Sequence, residues 1–63
     1  VAELIRAELE EGGRSAADLA ELLGLGRSAV RRRLSGVTPF DLVEVELIAA
    51  WLNTTAPELL RRA

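Results

Sequence analysis

The strongest constraint on this chain is its punctuation. Gly12-Gly13, Gly24, Gly36 and Asn53 each stand where a helical run of apolar residues stops, and such residues take the left-handed conformation that ends a helix at little steric cost. Between them the apolar positions recur at helical spacing, so the chain reads as short helices joined by short turns. Val1, Leu4, Ile5 and Leu9 mark a first helix over 1–11, with Arg6 and Glu10 placed as an i,i+4 pair. Ser15 with Asp18 opens a second helix, Ala16 to Leu23, burying Leu19, Ala20 and Leu23. Gly24 ends it, Leu25 plugs the corner, and Gly26 caps a third helix from Arg27 to Ser35. Asp41 with Glu44 opens a fourth, Leu42 to Leu52, with Phe40 and Val45 as a hydrophobic staple. Its main stripe is Leu42, Val45, Ile48, Ala49 and Leu52. Thr55 with Glu58 makes a further capping box for a last turn or two through Leu59 and Leu60. The expected class is all-α, a compact five-helix bundle forming a single domain over 1–63.

Composition removes several function classes. The 63 residues contain no cysteine and no histidine, so disulfides, thiolate metal sites and the usual general base are absent together. All eight basic residues are arginine. Ser15, Ser28 and Ser35 therefore have neither histidine nor lysine to activate them as nucleophiles. The carboxylates of Glu10-Glu11 and of Asp41, Glu44 and Glu46 are spaced for capping and solvent faces rather than for a metal. Gly24-x-Gly26 lacks the strand and the further glycines of a phosphate-binding loop. No enzyme activity, cofactor or small-molecule ligand is expected. No run approaches the roughly 18 apolar residues of a membrane span, and the N-terminus does not read as a signal peptide, so a cytoplasmic protein is expected.

The net charge of −2 argues against a polyanionic partner until the charges are placed. Residues 1–25 hold Glu3, Glu8, Glu10, Glu11, Asp18 and Glu21 against Arg6 and Arg14. Residues 26–40 hold Arg27, Arg31, Arg32 and Arg33 and no acid. If Val30 and Leu34 face the core, steps of 100° point Ser28 and Arg32 outward, with Arg31 and Ser35 on one flank and Ala29 on the other. Arg33 falls at the core boundary, and Arg27 lies in the first turn. The chain is acidic with one basic face.

A small residue at a helix crossing (Ala20), a glycine at the turn (Gly24) and apolar anchors in the second helix (Val30, Leu34) meet the requirements of a helix-turn-helix. Here the chain resembles the lambda-repressor-like family of phage and bacterial regulators, which includes the Cro-type proteins. The resemblance lies in Leu23-Gly24-Leu25-Gly26-Arg27-Ser28-Ala29-Val30 and Leu34-Ser35-Gly36, and continues through Ile48-Ala49-Ala50-Trp51-Leu52 and the Thr55–Glu58 helix. It implies a five-helix fold whose third helix enters the major groove of double-stranded DNA. Carried over by position, it implies base contacts from Arg27 and Ser28 and a further groove-facing place for Arg32, and phosphate contacts from Ser35 and Thr38; Arg31, on the flank, is expected among the base contacts. Arg33 is assigned to phosphate or to structure. The family often opens the second helix with a phosphate-clamping glutamine; Ala16-Ala17 stands there instead.

The fourth helix is apolar nearly all round. Val43, Leu47, Ala50 and Trp51 lie away from its main stripe, and a contiguous apolar patch with a tryptophan is a typical association surface. A homodimer through these four residues is the expectation, against burial within one chain. Together these readings give a sequence-specific DNA-binding regulator, most simply a repressor. The rival is a protein-interaction module, of antitoxin or phage accessory type, that docks the arginine face on an acidic partner.

Overall fold

The computed structural model describes residues 1–62, which form five helices: α1 (Ala2–Glu11), α2 (Ala16–Leu23), α3 (Arg27–Leu34), α4 (Leu42–Trp51) and α5 (Ala56–Arg61). No strand is present among the described residues. The expected boundaries hold to within a residue. Ser35 and Leu52, expected as last helical residues, instead follow α3 and α4 as C-caps.

Local chemistry accounts for the ends. Ser15 accepts the Asp18 N–H while the Asp18 carboxylate accepts the Ser15 N–H, at 3.2 and 2.8 Å, so α2 starts on a complete capping box. Asp41 and Glu44 do the same for α4, at 2.8 and 3.0 Å. The third box is only half built: Thr55 accepts the Glu58 N–H, but the Glu58 carboxylate pairs with Arg61 at 2.8 Å. At the other ends, Gly24 at φ 66° and Asn53 at φ 60° adopt the left-handed conformation. The next N–H then reaches back over the last turn, from Leu25 to the Ala20 carbonyl at 3.0 Å and from Thr54 to the Ala49 carbonyl at 2.8 Å.

The core is drawn from every helix: Ile5 and Leu9, Leu19 and Ala20, Val30, then Val45, Ile48 and Ala49, and Leu59. Burying a side chain of the size of Ile5 or Ile48 contributes about 1.5–3 kcal/mol. α2 packs on α3 and α4, α1 on α3, and α4 on α5. Ala20, almost wholly buried, sits in α2 where a larger side chain would push the neighbouring helices apart.

Three expectations are corrected. Leu42 was placed on the core stripe of α4 but is 67% exposed; at the first turn the inward places are taken by Glu44 and Val45, both buried. Val1, expected on the inner face of the first helix, is exposed. Arg6 does not pair with Glu10; its Nη1 donates to the Leu34 carbonyl at 2.8 Å. A helix C-terminus carries partial negative charge, so this bond fastens the end of α3 to α1.

Candidate nucleic-acid interface

α2 and α3 meet at the corner Gly24-Leu25-Gly26. Gly24 turns the chain, Leu25 is half-buried and packs against the core, and Gly26 is extended at φ −74°, ψ 163° as the residue before α3. No side chain caps α3. Its first N–H groups therefore point outward without an intrahelical partner and carry partial positive charge. Val30, 1% exposed, is the one wholly buried residue of the helix, and Leu34 packs half-buried against the same core.

That anchoring sets the phase. Arg27, Ser28, Arg31, Arg32 and Ser35 are all exposed, as the 100° steps require, and Ala29 is half-buried. No carboxylate among the described residues forms an ion pair with Arg27, Arg31 or Arg32. Arg27 and Arg31 line one side of a groove whose other side is Ser15, Ala16 and Ala17 at the start of α2, with Leu34 also contributing. Ala16 and Ala17 thus give a small apolar wall to the groove that Arg27 and Arg31 also line. Asp18 lies in the same α2 N-terminus. The Ser15 N–H, then the Ser15 hydroxyl, and to a smaller degree Arg14, hold its carboxyl below the usual carboxylate value.

Arg33, expected at a phosphate or in a structural role, is engaged within the protein. Its Nε donates to both oxygens of Glu44, at 3.1 and 3.0 Å, and its Nη1 to the Ala29 carbonyl at 3.2 Å. Ser35 points its hydroxyl hydrogen at the Arg32 carbonyl, 3.0 Å away, so donating to a phosphate requires the hydroxyl to rotate. Thr38 is half-buried, beside Arg33, Gly36, Pro39 and Phe40, and apart from the Arg27–Arg31 groove. Its N–H and that of Val37 both donate to the Arg32 carbonyl, at 3.2 and 3.0 Å.

The outer stripe of α4 divides. Val43 is 66% and Leu47 43% exposed, and Ala50 is exposed beside them. Trp51 instead is half-buried, packs against the core, and is covered by the Arg14 guanidinium, whose carbon lies 4.4 Å from the ring centroid. Leu42, Ala50 and Leu60 line an apolar groove between α4 and α5 that continues the exposed face. The sequence reading missed that groove, the Arg33–Glu44 pair, the Arg14–Trp51 contact and the ion pair of Arg62 with Glu8 at 2.8 Å. No local signal marked the first two, because α4 is apolar on nearly all sides and its phase does not separate Leu42 from Glu44.

No helix among the described residues is long and apolar enough to cross a membrane. A helix-turn-helix family model matches residues 5–59. No curated protein and no solved structure gives a significant match.

Proposed function

The chain belongs to the lambda-repressor-like, Cro/C1-type helix-turn-helix family, whose members are DNA-binding transcription regulators, and from that premise we propose a sequence-specific repressor acting on double-stranded DNA as a homodimer. α3 lies in the major groove. Arg27, Ser28 and Arg32 read base edges, Arg31 works beside them, and Ser35 and Thr38 hold phosphates. An arginine aimed at a guanine binds its O6 and N7 in a bidentate pair, worth about 1–3 kcal/mol of discrimination. The carrying observation is that Arg27, Arg31 and Arg32 are exposed and, among the described residues, lack ion-pair partners on the outward side of α3.

A second copy is the occupant assigned to the open face of α4, at Val43, Leu47 and Ala50, with Trp51 at its covered edge. The reason is electrostatic as well as apolar. One copy carries a net charge of −2 and brings few free cations to the duplex, whereas two-fold pairing doubles them and sets two α3 helices for half-sites about 34–36 Å apart. Bound protein then acts by occupancy, blocking polymerase or recruiting a partner.

Selection from random duplexes at low salt tests the reading. A defined motif should be enriched, and Arg32→Ala should weaken binding to it about tenfold or more while changing random-sequence binding far less. Enrichment of no motif, with retained binding to an acidic protein surface, would replace the repressor by an interaction module.

A further inference from the structure

We propose that Arg33 is a positioning residue: gripped by Glu44, it fixes the roll of α3 about its own axis and so aims Ser28 and Arg32. The proposal rests on the DNA-binding reading and adds to it a role for the one arginine of α3 that turns away from solvent.

The geometry is that of a strut. From the last turn of α3, the Arg33 Nε meets both carboxylate oxygens of Glu44, while Nη1 ties the same guanidinium back to the Ala29 carbonyl one turn earlier in its own helix. The two side chains are only 17% and 12% exposed. Glu44 is itself immobilised at the start of α4. Its Oε1 accepts the Asp41 N–H at 3.0 Å, and its own N–H donates to the Asp41 carboxylate at 2.8 Å. The chain of bonds runs from Ala29 through Arg33 and Glu44 to Asp41, joining α3 to the first turn of α4.

α3 needs such a constraint. It is two turns long, its main packing partners are α2 and α1, and Val30 is its one wholly buried side chain, with Leu34 half-buried on the same side. The Arg6 bond holds only the Leu34 carbonyl at its very end, whereas the Arg33 guanidinium, also rooted in the last turn, reaches back to the Ala29 carbonyl as well as across to Glu44. A roll of about 20° carries an atom about 6 Å from a helix axis through about 2 Å. That displacement exceeds what a directional hydrogen bond to a base edge tolerates. An ion pair held from both ends supplies an angular restraint that these apolar contacts do not.

The test uses Arg33→Met, Glu44→Gln and the two together, at a temperature where circular dichroism shows each fully folded. Affinity is measured for the selected duplex and for a random duplex across a salt series. Each single variant should lose about tenfold more affinity for the selected duplex than for the random one. The slope of log K against log salt should not change, and the double variant should lose no more than the worse single. A slope smaller by about one for Arg33→Met, persisting in the Glu44→Gln background, would make Arg33 a phosphate contact and overturn the proposal. Equal loss on both duplexes, or none, would also overturn it. A DNA-free measurement separates this from failure of the repressor reading. Residual dipolar couplings of α3 amides in the free protein should report a reoriented α3 in Glu44→Gln, and an unchanged orientation defeats the strut even if the parent selects a motif.

Discussion

α3 and α4 each leave one face uncovered, and the two faces are opposite in kind. α3 buries Val30 alone and turns Arg27, Ser28, Arg31 and Arg32 to solvent. α4 buries Glu44, Val45, Ile48 and Ala49 and still exposes Leu42, Val43 and Leu47. The difference separates two tasks in a small domain. α4 is the central post, with α2 and α5 packed on it, and the apolar side it retains suits a flat, non-directional contact with another protein surface. α3 is lightly rooted, held at its corner by Gly24 and Leu25 and in its last turn by Arg6, on the Leu34 carbonyl, and by Glu44, on the Arg33 side chain. Its free face is directional, with donors that need defined acceptors.

Substitutions that exchange the properties of the two helices break this comparison or sharpen it. The largest effect is expected inside α4. Ile48→Ala should cost about 2–5 kcal/mol, enough to abolish the cooperative urea transition in a domain of this size. Leu47→Ala, one position away on the open side, should stay within about 0.5 kcal/mol at concentrations where the chain is monomeric. Next is the corner that roots α3. Gly24→Ala has space for its methyl group but not a favourable backbone, since φ is 66°, and should lower stability by about 1–2 kcal/mol in thermal melts. Leu47→Glu should leave the fold intact and convert a sedimenting dimer to a monomer, whereas an unchanged mass for parent and variant would empty the α4 face of its assigned role.

The smallest effect is a pH dependence at the start of α2. Because the folded state depresses the Asp18 carboxyl below its usual value, its ionised form stabilises the fold above that value, and the benefit is lost as pH falls through the depressed one. In urea melts, the parent should therefore exceed Asp18→Asn at neutral pH and converge on it as pH falls through the depressed value.

Most of the helix framework was legible because its signals are local. Ser15 and Asp18, Asp41 and Glu44, Gly24 and Asn53 act on backbone groups a few residues away, so their sequence spacing contains the geometry. The phase of α3 was legible for the same reason, since Val30 and Leu34 fix a helix with few apolar choices. α4 was not. With apolar residues on nearly all sides, it carries no preferred direction in its sequence, and Leu42 went to the core while Glu44 was read only as a cap. The fate of Arg33 followed from that error, because its partner approaches from another helix. Trp51 shows the same limit: Arg14, thirty-seven positions earlier in the numbering, covers its ring, and no local pattern announces the pairing.

The division of labour between the two helices is tested most directly by mapping amide chemical shifts while the selected duplex is added to the protein. The predicted result is that the largest changes fall at Arg27, Ser28, Arg31 and Arg32 and in the free N–H groups opening α3, with Val43 and Leu47 unmoved at fixed protein concentration. Changes concentrated on α4, with α3 silent, would contradict it.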